Sequence, residues 1–420
     1  MRVIIAGGGI AGLTLALSLR QVGIDCHVYE ATPRLTPRGL GINLQPNAVR
    51  ELAALGLADR LARLGILTAK LAFYNKHGQL VWSEPRGQAA GYRWPQIAIP
   101  RGWLHEVLLG AARERLGVHA IVTGCRLVRF DARNDKVVAH FVDPAGQPVD
   151  EAEGDLLVGA DGIHSATRRA FYPGERPVFD GFVHYRGIVE ADAFLTGSAM
   201  VVAGHRTQRV IVYPVGWLAG GRAVTNWLAY TRLPEGVLSP IEDWDTDADK
   251  AAFIDLFAGW TFPWLDVHGI MIDTEQVLQF PNVDRDPIPR WSFGRVTLIG
   301  DAAHPMQPIG AQAGSQAIVD ARVLAANLMD NRDPAAALES YQEQRMAAMN
   351  AMIIRARNFG PETVMQLAEE RAPNGFKHIS DVLTREELEN ASLAFKKAAG
   401  LDVEAVNSHE SYVPLPAMSR

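Results

Sequence analysis

The sequence predicts an α/β fold (α+β overall): a parallel-sheet unit, an inserted antiparallel β-sheet and a helical C-terminal region. Three observations predict it. Strand–turn–helix passages recur at residues 3–21, 156–169 and 296–328, each with glycine at the turn. Alternating apolar and polar residues at 70–99, and a β-rich stretch from about 176 to 280, interrupt that rhythm. Beyond about residue 335 the chain is rich in Ala, Glu and Arg and reads as helix, ending in an irregular tail at 407–420.

A chain of 420 residues has room for two or three structural units. Its 48% hydrophobic and 21% charged content is that of a globular protein and excludes a disordered one. A net charge of −6 gives no reason to expect nucleic acid or an anionic membrane as partner. Cys26 and Cys125 both sit in apolar runs, which fits two buried thiols in a reducing, cytoplasmic compartment. No metal site is expected. The first residues mimic a secretory leader, but Gly7-Gly8-Gly9 breaks the apolar run and no small-residue cleavage site follows. No other apolar stretch is long enough to span a bilayer.

The first passage runs Val3 to Ala6, then Gly7-Gly-Gly9-Ile10-Ala11-Gly12, then a helix over 11–21. A second strand, 26–30, ends on Glu30. A lone G-x-G-x-x-G is weak; here the strand before, the helix after and an acidic residue about 20 positions on are all present. The pattern is that of a Rossmann-type dinucleotide site. Gly7 makes the tight turn, Gly9 admits a pyrophosphate to the backbone, Gly12 lets helix and strand touch, and Glu30 holds ribose hydroxyls. The motif does not separate FAD from NAD. The following loop, 34–47, brings Arg34 and Arg38 near the expected pyrophosphate.

Arg101 opens a helix over 101–116, and strands follow near 119–122, 127–131 and 137–142. Asp161-Gly162 ends the strand at 156–159, with Ser165 and Arg168 on the next helix. Strands at 183–189, 200–203, 210–214 and 224–230 carry Tyr185, Tyr213, Trp217, Trp227 and Tyr230, suggesting a lid over a flat apolar ligand. The acidic stretch 242–249 precedes a helix ending near Trp260. In the third passage Gly300-Asp301 places a carboxylate at a strand end, where it can accept sugar hydroxyls. Pro305 and Pro308 rule out helix until about 310–314. The N-terminus of the helix that follows offers free N–H groups to an electron-rich ligand.

Three such turns in this order resemble the class A flavoprotein aromatic hydroxylases, which include the p-hydroxybenzoate and salicylate hydroxylases. Residues 41–46, 81–87 and 279–289 further resemble the 5-methylphenazine-1-carboxylate monooxygenase subgroup. The resemblance implies a discontinuous FAD-binding domain (1–70, 100–175, 281–335), a β-sheet substrate domain (71–99, 176–280) and a C-terminal helical region (336–420). It implies that Arg101 contacts the FAD pyrophosphate and ribityl region, Asp301 the ribityl hydroxyls, and Asp161 the turn beside the nicotinamide path. Pro308, Gly310, Ala313 and Gly314 would lie at the flavin pyrimidine edge. The family usually reads Pro-x-x-Gly-Gln-Gly-x-Asn there; this chain has Ala311 and Ala313 in place of two glycines.

The implied activity is that of an NAD(P)H-dependent aromatic hydroxylase, passing oxygen from O2 through a C4a-hydroperoxyflavin to an aromatic or N-heteroaromatic substrate, carboxylate-bearing rings included. With no second dinucleotide motif, NAD(P)H would dock transiently. Tyr213 and His205 are the candidate general bases, whereas His304 reads as structural. The alternative is an FAD-dependent oxidase or dehydrogenase without oxygen insertion. The C-terminal helices suit either a monomer, covering the FAD domain, or a homodimer.

Overall fold

The computed structural model describes residues 1–34, 40–133, 135–149, 151–234, 246–398 and 400–414. Its parallel sheet has six strands, in the order Ser292–Phe293, Val296–Leu298, Leu156–Gly159, Arg2–Ala6, Asp25–Glu30, Ile121–Thr123. Only the Ser292–Phe293 edge is antiparallel. Val3–Ala6 and Leu156–Gly159 are buried along their length, as apolar strands covered on both faces must be. Their register decides where the three turns go. Ala6 pairs with Gly159, and Gly159 with Leu298, so the turns at 7, 161 and 300 leave one edge side by side. Helix Ile10–Gln21 packs on this sheet with Arg101–Leu116 and Ala313–Asp330 against it, and all three share one core with the sheet.

The second sheet has eight strands, from Thr246–Asp247 through Val277–Asp284, Val178–Asp192, Arg222–Arg232, Gln208–Trp217, Ala199–His205 and Lys70–Tyr74 to Leu80–Pro85. It is antiparallel except where Ala199–His205 runs parallel to Lys70–Tyr74. A parallel pair needs a long crossover, and here the crossover is much of the first domain. Residues 96–99, expected with this sheet, pair instead with Gly41–Leu44 and Ile66–Thr68. The expected helix before Trp260 is two short 3-10 turns, Lys250–Ala252 and Ile254–Phe257. Residues 242–245 of that stretch lie outside the described residues.

The period-2 pattern divides the aromatic residues between the sheet's faces. Tyr185 and Trp227 point outward, into a core with Phe253, Phe257 and Trp260. Tyr213 and Tyr230 point inward, into a core with Phe359, Val364 and Met365. Trp217 is 55% exposed. The inner face is therefore the one that meets the parallel-sheet unit.

The C-terminal region serves both cores. Helix Pro334–Arg357 supplies Tyr341, Met349 and Ile353 to the first core, and Leu401 and Val413 return to it. Helix Thr363–Arg371 covers the second sheet's inner face. Arg322, fully buried, donates to Glu51, Ser18, Gln21, Ser411 and the carbonyl of Val413, tying three helices to the tail. Among the described residues no helix is long and apolar enough to cross a membrane.

Two features fix the third turn. Asp320 is buried in helix Ala313–Asp330. Its carboxylate accepts from the Gly300 N–H (3.0 Å), contacts His304 Nε2 (2.5 Å) and accepts from Arg345 Nε (2.8 Å). Burial alone would raise its pKa; His304, Arg345 and the Gly300 N–H overcome that and hold it at about 2. Further on, Gly310 and Ala311 both have positive φ, 67° and 53°. Alanine keeps the left-handed shape the family gives to glycine, at a strain of roughly 1 kcal/mol.

Asp320→Asn leaves the buried Arg345 without its counter-charge and is expected to lower stability by about 3 kcal/mol or more, read from chemical denaturation. Because the folded carboxylate is depressed, its contribution is complete above the unfolded carboxylate range and fades as pH falls toward 2. The deficit of the Asp320→Asn variant relative to wild type is therefore expected to shrink below about pH 4. Ala311→Gly is expected to raise stability by a few tenths to about 1 kcal/mol, since relief of strain exceeds glycine's added unfolded-state entropy; a lower midpoint would refute the strain.

Candidate cofactor and substrate site

The first turn is shaped by contacts that permit no side chain. Gly7 has φ +109°, and a Cβ there would lie 2.3 Å from the Ala160 carbonyl oxygen. A Cβ on Gly12 would lie 2.0 Å from the Gly7 oxygen. Gly9 differs: nothing lies within 4 Å of its Cβ position, so the backbone there is open to a ligand. Gly9 caps helix Ile10–Gln21 without a side-chain hydrogen bond, leaving its N-terminal N–H groups uncapped. The Glu30 carboxylate accepts from the N–H groups of Gly8 (2.7 Å) and Thr32 (2.8 Å), at the ribose end of the motif. On the other side the His105 Nε2–H donates to the Gly8 carbonyl at 2.7 Å.

In the second turn the Asp161 carboxylate is used locally. It accepts from the Ser165 hydroxyl and from the N–H and hydroxyl of Thr167. Burial raises its pKa against those bonds. Arg168 then crosses to the third turn, donating to the carbonyls of Ala302 (3.2 Å) and Ala303 (2.8 Å). The two turns are thereby locked together. In the third, helix Ala313–Asp330 also begins without a side-chain cap.

Between these turns and the inner sheet face lies a cavity of about 1140 Å³, part of it open to solvent. Gly9, Ile10 and Ala11 line one side with Arg101, Asp301, Pro308, Ala313 and Gly314. The facing wall is Arg186, Met200, Ile211, Tyr213 and Leu228. Gly41–Asn43 forms the rim, held because Asn226 Oδ1 accepts from the Gly41 N–H (2.7 Å) and Arg186 donates to the Gly41 carbonyl (3.2 Å). A smaller cavity adjoins it, sharing Met200, Ile211, Pro308 and Ala311 and reaching Gly310, Arg86 and Gln96.

The expected cofactor residues thus divide by task. Gly9, Ile10, Ala11, Arg101, Asp301, Pro308, Ala313 and Gly314 face the main cavity, and Gly310 faces its extension. Gly7, Gly12 and Asp161 shape the turns from behind, and Glu30 stands at the end of the second strand, outside both cavities. Arg38 lies outside the described residues.

Of the candidate bases, Tyr213 faces the cavity, with burial pushing its phenol pKa up against the pull of Arg186 and Asn43. A phenol so placed keeps its proton at neutral pH. His205 lies elsewhere. It ends its strand beside Thr207, whose hydroxyl lies 3.1 Å from its Nδ1, and lines neither cavity. One residue further along a strand reverses the face, and several carry it past the ligand. Sequence reasoning missed Arg186, Asn43 and His105. Only charge inside an otherwise apolar strand could have flagged Arg186.

The residues fit a flavin dinucleotide: two uncapped helix N-termini for anionic groups, an open Gly9 for the pyrophosphate, and carboxylates at Glu30 and Asp301 for sugar hydroxyls. The sequence pattern of the FAD-binding domain family matches residues 1–232 and 264–356. The chain is 41% identical over 357 residues to the phenazine 1,6-dicarboxylic acid hydroxylase PhzS of Lysobacter antibioticus, covering 84% of this chain and 88% of that one. It is 32% identical over 363 residues to the aurachin C monooxygenase/isomerase of Stigmatella aurantiaca, covering 86% and 89%. Among solved structures, HpxO of Klebsiella pneumoniae complexed with FAD and uric acid superposes with a TM-score of 0.73 at 25% identity, over 97% of this chain and 96% of that one. With its three turns and its relatives in agreement, this chain is a member of the FAD-binding domain family of aromatic-ring hydroxylases and monooxygenases.

Proposed function

We propose that this enzyme is an FAD-dependent, single-component monooxygenase that uses NAD(P)H and O2 to hydroxylate an aromatic or N-heteroaromatic substrate. One observation carries the reading. The cavity has helix N-termini on one wall and the apolar side chains Met200, Ile211 and Leu228 on the other. A redox cofactor against the first wall and a flat ring against the second would meet face to face.

FAD, when bound, would supply the redox chemistry, namely hydride uptake from NAD(P)H and insertion of one atom of O2 with the other leaving as water. The chain's own residues do the rest. The N–H groups at Ala313–Gly314 favour negative charge on the ligand edge they face. Arg101 and Asp301 hold the ligand's phosphate and hydroxyl groups. Met200, Ile211 and Leu228 exclude water, which would otherwise divert the oxygen to peroxide. Tyr213, protonated, orients a ring hydroxyl by donating to it.

The test is NAD(P)H consumption by the FAD-loaded protein across phenolic, pyridine-type and phenazine aromatics, with product masses recorded. A ligand that speeds consumption and gains one oxygen is the expected result. Reduction of the flavin with no oxygen in any product would instead mark an oxidase or dehydrogenase. Tyr213→Phe is expected to keep FAD and to weaken substrate binding about 5- to 10-fold, the loss of one hydrogen bond. Unchanged affinity and unchanged coupling of NAD(P)H use to product would remove Tyr213 from the site.

A further inference from the structure

We propose that a cavity behind helix Ala313–Asp330 binds a phosphate-type oxyanion and transmits its occupancy to the third turn. The cavity, of about 740 Å³ and part open to solvent, is distinct from those described above. Helices Pro46–Ala54, Ala313–Asp330 and Pro334–Arg357 form its walls, and residues 405–412 close it. Gln316 and Val319 line it, whereas Gly314 and Ala317, on another face of the same helix, line the main cavity. Its charged lining is cationic: Arg50 and Arg345, 5% and 8% exposed, with no carboxylate among the described residues. His409 stands at its exposed edge. The carboxylate partners lie behind the wall. Asp320 serves Arg345, and Glu51 serves both Arg50 (2.9 Å) and Arg322 (3.2 Å), so three buried guanidinium groups share two carboxylates.

Several donors on this lining are unused. Arg345 directs Nε to Asp320 and Nη2 to Gln316 Oε1 (2.6 Å) and the Met349 sulfur, and its Nη1 has no acceptor among the described residues. Arg50 Nη1 reaches the carbonyls of Val406 and His409 only at 3.4 Å each, beyond the usual hydrogen-bond length, and its Nη2 has no acceptor among the described residues. The side-chain N–H groups of Asn47 are likewise without one. An anion that accepts these bonds also offsets the surplus charge. Donors entering from two helices suit a tetrahedral dianion, which accepts from several directions, better than a planar carboxylate. The Tyr412 ring, 5.5 Å from the Arg50 guanidinium carbon, gives the cavity an apolar side with room for an ester group.

A run of hydrogen bonds leads from this site to the main one. Gln316 Nε2 donates to Gln312 Oε1 (3.3 Å), and Gln312 Nε2 donates to the Gly310 carbonyl (3.0 Å). Gly310 begins the left-handed pair that faces the main cavity's extension. Through Nε, Arg345 also bears on Asp320, which holds the Gly300 N–H. A ligand that draws on the Arg345 guanidinium therefore shifts both ends of the third turn, and the coupling is reciprocal.

The test titrates the FAD-loaded enzyme with inorganic phosphate and with phenyl phosphate at constant ionic strength. Heat is read by calorimetry and the flavin's visible absorption in parallel. Wild type is expected to show one saturable site per chain, with an absorption change that follows the heat. Tighter binding of phenyl phosphate supports an organic phosphate as the ligand, and equal binding supports free phosphate. Arg50→Gln leaves Arg322 on Glu51 and is expected to weaken binding about 10-fold, the loss of one charged hydrogen bond. Ala348→Glu places a carboxylate on the lining one turn from Arg345 and is expected to abolish binding. Gln312→Met is expected to keep the heat and lose the absorption change. Absence of saturable heat in wild type overturns the proposal. So does unchanged binding in both Arg50→Gln and Ala348→Glu, which would place the anion elsewhere. Heat without any absorption change in wild type overturns the transmission to the third turn.

Discussion

One buried carboxylate holds the site's geometry. Asp320 lies inside the helix that follows the third turn, yet it reaches back to the first N–H of that turn and sideways to His304 and Arg345. With Gly300 fixed, Asp301 is fixed at the cavity, and so is the approach of the helix whose N-terminus faces it. Arg168 extends the same rigidity to the second turn through two carbonyls. The residues that face the ligand are few. The residues that keep them there are buried charges whose strong donors and acceptors are directed at a turn.

The two halves of the cavity come from different sheets, and one glycine ties them at the rim. Gly41 belongs to the short sheet beside the cofactor, but its N–H and carbonyl are both claimed by the substrate sheet, through Asn226 and Arg186. A Cβ on Gly41 would fall 2.7 Å from Asn226 Cγ, so only glycine allows this approach. A shift of the Arg186 guanidinium would therefore be felt at the rim of the site.

The sequence made the cofactor half legible because that half is local. Gly7, Gly9 and Gly12 sit within one turn, and strand, turn and helix adjoin them; the structure gives each glycine a distinct steric reason. The ends of helices and strands were readable for the same cause, as with Arg101–Leu116. The substrate half was less so. Its sheet order joins residues 70–85 to 199–205 across more than a hundred residues, which no local pattern encodes. Period 2 marks two faces but not which one meets the cofactor, so Tyr213 and Trp227 looked alike before the fold separated them. His205 ends its strand away from the cavity for that reason, and in sequence a lone arginine in a strand, such as Arg186, resembles a solvated edge. The pairing of His304 with Asp320 spans sixteen residues across two elements, beyond any motif.

The ties made by Arg322 bear on when, during synthesis, the molecule can exist. Its guanidinium is fully buried and donates to residues near 18, 51, 411 and 413. A chain emerging from the ribosome has all three turns by residue 314. Arg322 then finds Glu51, Ser18 and Gln21, but its Nη2 lacks both of its acceptors until the segment around 411–413 arrives. The cofactor pocket is thus encoded early and sealed late, which leaves a long interval in which a nascent chain exposes apolar helix faces to chaperones.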